Sequence, residues 1–107
     1  MLRRRNKRRY LAVLYDPNTS QTEVKGDIQR RFIELFGSLA TELTYLRAYH
    51  SRHSGILILG CDLEYLERIL FTIAMMEQPM TAVMMSGTIR KLRERLDSKW
   101  NPSKLNA

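Results

Sequence analysis

Three stretches of this chain are apolar at odd and even positions alike: Tyr10 to Tyr15, Ile56-Leu57-Ile58-Leu59, and Met80 to Met85. Half-buried strands alternate, whereas strands covered on both faces do not. A sheet built from these three therefore needs a layer on each side, and that requirement governs the rest of the reading. Tyr10–Tyr15 closes on Asp16-Pro17-Asn18, a turn sequence. Ser20-Gln21-Thr22-Glu23 then forms a capping box, in which the serine hydroxyl accepts from the Glu23 amide and the Glu23 side chain reaches back. Val24, Ile28, Phe32, Leu35 and Phe36 follow at helical spacing, and Gly37 supplies a C-terminal cap. Residues Glu42 to His50 alternate and read as a strand, joined to Ile56–Leu59 through the short loop Ser51–Gly55. Asp62 is placed to cap a second helix carrying Leu63, Leu66, Leu70 and Ile73, which Pro79 stops. Met80–Met85 is the fourth strand. Ile89, Leu92, Leu96 and Trp100 mark a third helix.

The order is βαββαβ with an added C-terminal helix, an α+β, ferredoxin-like (RRM-like) α/β sandwich. Its two crossover helices cover one face of the sheet. The second face must be covered by the third helix, another copy of the chain, or a different protein. The expected organisation is a basic arm over residues 1–9, one domain over 10–100 and a tail over 101–107.

At 107 residues the chain has one domain's worth of sequence, and 44% hydrophobic residues suffice for a modest core. Its one cysteine, Cys61, forbids an internal disulfide and fits a reducing compartment, so a cytoplasmic location is expected. The apolar run Tyr10–Tyr15 is too short for an export signal, and Glu77-Gln78-Pro79 breaks the run from Ile69 to Met85 before it could span a bilayer. No membrane partner is expected. The net charge of +7 is concentrated at the ends. Residues 1–9 carry six cations and no anion, residues 88–107 carry six cations and two anions, and the middle is mildly acidic. Basic ends around an acidic middle point to a polyanion, of which nucleic acid is the commonest.

Catalytic constellations are scarce. Asp62, Glu64 and Glu67 fall at a helix start, where carboxylates favour the helix dipole. His50 and His53 have no third metal ligand within sequence reach. No phosphate loop, nucleophile elbow or dinucleotide fingerprint occurs. Met75, Met76, Met80, Met84 and Met85 form an adaptable apolar group, and with Tyr45 and Tyr49 they suit a protein interface. Tyr45 and Tyr49 could stack bases and equally suit sheet packing.

The junction Ser86-Gly87-Thr88 divides an apolar strand from a basic amphipathic helix. Ser86 or Thr88 can cap that helix, Gly87 permits close approach or a positive φ, and its substitution is expected to disturb folding. The first free amides, with Arg90 and Lys91, would face an anion. Lys91, Arg95 and Lys99 repeat at one-turn spacing of ~6 Å along another face. From spacing alone, a solvated helix face and a phosphate grip explain this segment equally well.

Three stretches carry a family resemblance. Lys7-Arg8-Arg9-Tyr10-Leu11-Ala12-Val13, Gly55-Ile56-Leu57 and Ser86-Gly87-Thr88-Ile89-Arg90 resemble, in order and spacing, the Pop-five type subunit of ribonuclease P, called component 2 in archaea. The short length resembles the archaeal members. The resemblance implies an accessory role in the 5′ maturation of transfer RNA. The RNA subunit with bound Mg²⁺ would cleave the precursor, and the chain itself would hold no cofactor and no catalytic residue. It further implies pairing with ribonuclease P protein component 3, indirect contact with precursor tRNA, and self-association within a heterotetramer. RNA contacts would come from Arg3, Arg4, Arg5, Lys7, Arg8 and Arg9, and from Ser86, Gly87, Thr88, Arg90, Lys91, Arg95 and Lys99. Tyr45, Tyr49, Met80 and Met84 would meet the protein partner. Two departures stand out: an Arg/Lys run replaces the family's Pro-Thr-x-Arg approach, and Ile58 stands where a basic residue often follows Gly-Ile-Leu. Two other readings share the topology. One is a ribosomal-type RNA-associated module; the other is an acylphosphatase-like enzyme, whose phosphate loop after strand one needs Gly and Arg where this chain has Asp16-Pro17-Asn18-Thr19-Ser20.

Overall fold

In a computed structural model the described residues are 7–39 and 46–99. Arg3, Arg4, Arg5, Tyr45 and Trp100, named above, lie outside them. The elements are β1 (Arg8–Tyr15), α1 (Gln21–Phe36), β2 (Arg47–Tyr49), β3 (Ile56–Asp62), a 3₁₀ turn (Leu63–Tyr65), α2 (Leu66–Ala74), β4 (Met80–Ser86) and α3 (Ile89–Lys99). The four strands form one antiparallel sheet in the order β2-β3-β1-β4. This is the expected α+β arrangement with its C-terminal helix.

Both faces are covered. On one, Leu11, Val13 and Tyr15 of β1 and Leu57, Leu59 and Cys61 of β3 pack against Val24, Ile28 and Phe32 of α1 and Ile69 and Ile73 of α2. On the other, Ala12, Ile56 and Ile58 meet Leu92 and Leu96 of α3. The sequence left three candidates for this second layer, and the chain supplies it from its own last helix. Of the expected seam, Leu92 and Leu96 are buried and Ile89 is half-buried against the same cluster.

Local chemistry sets the ends. The Ser20 side chain accepts from the Glu23 amide, and Gly37, at φ 89°, donates its amide to the Ile33 carbonyl. Of the strand read over Glu42–His50, residues 42–45 lie outside the described residues, and Arg47–Tyr49 forms an edge strand paired to β3. One expectation changes. Asp62 makes no side-chain cap; it is buried and accepts instead from Arg8 Nη1 at 3.1 Å. A buried carboxylate needs a charge partner more than an exposed helix start needs a cap.

The β2–β3 loop is pinned from three sides. Gln21 Nε2 donates to the Ser51 and Ile56 carbonyls, and the Tyr15 amide donates to the Gly55 carbonyl. From α3, Asp97 accepts from Arg52. Gly55 turns the chain at φ 79°, where an added Cβ would lie 3.1 Å from the Tyr15 carbonyl oxygen. Among the described residues, no helix is long and apolar enough to cross a membrane.

Candidate nucleic-acid interface

Antiparallel pairing of β1 with β4 sets Tyr10 opposite Ser86. The start of β1 and the start of α3 are therefore neighbours, and Lys7–Arg9, the described part of the basic N-terminal run, stands at the same end of the sheet as the start of the basic helix. The contact is close: a Cβ on Gly87 would lie 3.6 Å from Arg9 Nη1. Arg9 Nη1 itself donates to the Arg8 carbonyl at 2.8 Å, which holds the side chain along the strand end.

Thr88 caps α3, its Oγ1 accepting from the Lys91 amide at 3.2 Å, while Ser86 Oγ accepts from the Thr88 amide at 3.4 Å. The hydroxyls are thus satisfied inside the turn. The Leu92 amide bonds to the Thr88 carbonyl, and among the described residues the amides of Ile89 and Arg90 find no acceptor. Those amides stand at the start of the helix beside the exposed Lys91 side chain, an arrangement with the donors and charge that an anion requires. Gly87 has no positive φ and its nearest contact is ordinary, so a side chain there is accommodated, against the expectation that substitution would disturb folding.

The expected contact residues fall into different states. Lys7 and Lys99 are exposed. Arg90 pairs with Glu94 at 3.2 Å on the solvent face. Arg95 Nη1 donates to the Met85 carbonyl at 2.9 Å, fastening α3 to the outer edge of β4. Arg8 is the least free. Partial burial opposes its charge, but hydrogen bonds with Asp62, Tyr10 and Tyr49 outweigh this and raise its pKa.

Arg8 belongs to a cluster the sequence did not reveal. Tyr10 and Tyr49 lie on the α3 face of the sheet, ring centroids 5.9 Å apart and tilted by 59°, with the Arg8 guanidinium 5.9 Å from the Tyr10 centroid. They converge over Gly60, where a Cβ would come within 2.9 Å of Tyr10 and 3.0 Å of Tyr49. Arg47, opposite Gly60 in the ladder, adds an exposed cation on the same face. Spacing in the sequence drew attention to Tyr45 and Tyr49; Tyr45 lies outside the described residues, and Tyr49 meets Tyr10, on a different strand, brought near only by the register.

Of the residues expected to meet a protein partner, Tyr45 lies outside the described residues, and the other three do not share one face. Tyr49 and Met84 pack on the α3 face, whereas Met80 packs on the α1/α2 face. Exposed apolar side chains occur instead on α1 and just after it (Ile33, Leu35, Leu39), at Leu63, on α2 and its end (Leu70, Phe71, Met75) and at Met85 on β4. Cys61 is buried, and desolvation pushes its thiol up from 9.0 to about 11, so it holds no thiolate at neutral pH. Among the described residues no three His, Cys, Asp or Glu side chains gather to hold a metal ion. The loop after β1 is a tight turn in which Asp16 Oδ1 accepts from the Asn18 amide, an acidic loop unsuited to cradling phosphate.

The family model described as the Rpp14/Pop5 family covers residues 9–97, nearly the whole span of the sheet and its three helices. No curated protein matches the chain.

Proposed function

The chain belongs to the Rpp14/Pop5 family of ribonuclease P protein subunits, and we propose that it is a non-catalytic, RNA-binding member that helps a catalytic RNA remove the 5′ leader of precursor tRNA. What supports the reading is the closeness of Arg9, at the start of β1, to Gly87 at the start of the basic helix α3, at one end of the sheet. Electrostatic contact with the phosphate backbone is the term such an end supplies. Arg9, Lys91 and the α3 amides face the RNA, and Arg3, Arg4 and Arg5 add positive charge to that contact. Mg²⁺ travels with the RNA. The protein partner is component 3, in a cytoplasmic ribonucleoprotein that can hold two copies of each protein.

The test is reconstitution. The chain is mixed with ribonuclease P RNA, component 3 and Mg²⁺, and precursor cleavage is measured across salt concentrations. Stimulation that fades as salt rises is expected, because each phosphate contact releases counterions. Changing Lys91, Arg95 and Lys99 together to Gln should flatten the logarithmic salt dependence of RNA affinity by about 2–3 units of slope. No stimulation at any salt ends the proposal.

A further inference from the structure

Beside Tyr49, a cavity of about 290 Å³ opens between the β2–β3 loop and α3. Its inner wall is apolar, made by Ile58 and Leu96, both buried in the sheet–α3 core. Around it stand the side chains of His50, His53, Arg52 and Arg93. Nothing in the function proposed above uses these residues.

The charges in this pocket do not cancel. Asp97, its one carboxylate, is already engaged, at 2.8 Å from Arg52 Nη2 and 2.9 Å from His53 Nε2. Arg93 pairs with no carboxylate among the described residues; it makes one long bond, 3.4 Å, to the His50 carbonyl. A guanidinium with unused donors therefore stands over an apolar wall, with two imidazole rings lining the same space. The walls are also held in place. Ser51 is buried, its Oγ accepts from the His53 amide, and its carbonyl accepts from Gln21.

A pocket of a few hundred cubic ångströms that joins an apolar wall, flat rings and free guanidinium donors suits one nucleotide unit. The base lies against the wall and the rings, and the phosphate lies against the guanidinium. The pocket is on the same sheet face as the Tyr10–Tyr49 pair, and from Ile89 to Asp97 the axis of α3 advances ~12 Å. A strand whose backbone meets the start of α3 needs only a short run to reach it.

We propose that this pocket takes one unpaired nucleotide of a bound RNA strand, with Arg93 holding its phosphate and His50 and His53 flanking its base. The inference rests on the RNA-binding reading above and adds a site to it. Single-stranded RNA is favoured over duplex because a base can enter the pocket only when unstacked.

The experiment is an amide NMR titration of the full chain at low salt with a single-stranded RNA pentamer, adenosine 5′-monophosphate, inorganic phosphate and a glutamate pentapeptide. The pentamer and the mononucleotide should shift residues 50–53, 93 and 97. Arg93→Gln and His50→Ala, both exposed positions, should keep the wild-type circular dichroism and weaken the pentamer by about tenfold. Phosphate alone producing the same shifts, the acidic peptide producing larger ones, or wild-type affinity in both variants would each overturn the pocket. Filter binding of ribonuclease P RNA to the same samples separates the two proposals. RNA retained on the protein while the pocket resonances stay still refutes the nucleotide site alone. No retention refutes the RNA-binding reading beneath it.

Discussion

Gly60→Ala is a sharp probe of the aromatic cluster at the basic end. A methyl group there would meet Tyr10 Cε1 at 2.9 Å, Tyr49 Cε2 at 3.0 Å and Arg8 Nη2 at 3.1 Å. Carbon atoms rest at about 3.5–4.0 Å, so each ring must withdraw by roughly 0.5–1 Å. Overpacking of this size costs about 1–3 kcal/mol. Removing a glycine from a strand interior returns up to about 1 kcal/mol through the unfolded chain. The balance is a destabilisation of about 1–2 kcal/mol, read as a lower urea midpoint at unchanged m-value. A double-mutant cycle isolates the cause. If Tyr49 is one of the two groups in the way, Gly60→Ala should be less harmful in a Tyr49→Ala background, with a coupling of about 1 kcal/mol. Additivity within about 0.3 kcal/mol, or a stability equal to wild type with unmoved tyrosine ring resonances, would refute the steric argument.

Four further outcomes follow from single positions. Leu96→Ala, which strips a fully buried side chain from the α3 seam, should cost about 3 kcal/mol in urea unfolding, against under ~0.5 kcal/mol for Leu70→Ala on the exposed side of α2. Burial raises the Cys61 thiol from 9.0 to about 11, so its contribution is full below pH 9.0 and is lost as pH rises through about 11. On the order of 2–3 kcal/mol of alkaline destabilisation should disappear in Cys61→Ala. Gly87→Ala should unfold within about 0.5 kcal/mol of wild type. Gly55→Ala, at φ 79° and 3.1 Å from a carbonyl oxygen, should lose at least about 1–2 kcal/mol.

Patterns that repeat within one segment were legible in the sequence. Val24, Ile28 and Phe32 announced α1, and the doubly apolar runs announced β1, β3 and β4 together with the need for two layers. The Thr88 cap and the basic helix behind it were visible for the same reason. What depended on register was not. Nothing near Arg8 in the chain indicates that Asp62 lies opposite it, or that Tyr10 and Tyr49 close over Gly60. Those meetings arise when β1 inserts between β3 and β4. The pocket at Arg93 was hidden in the same way, because His50 and His53 lacked sequence neighbours and acquired theirs from a helix some forty residues later. Gly87 was misjudged for a local reason: composition shows that a glycine can take a positive φ, while only the backbone shows whether it does.

The central place of β1 also fixes the order in which this molecule can be assembled. Its partners are Ile56–Asp62 on one side and Met80–Ser86 on the other. As the chain leaves the ribosome, β1 has no partner until β3 emerges, and its second partner comes only with β4. Contacts so distant in sequence close slowly. In the interval an apolar strand next to a run of cations waits unpaired, a state prone to aggregation that nearby polyanions also capture early. The basic end that would meet RNA is therefore among the last features of the fold to exist, and RNA present during synthesis should alter the yield of folded chain.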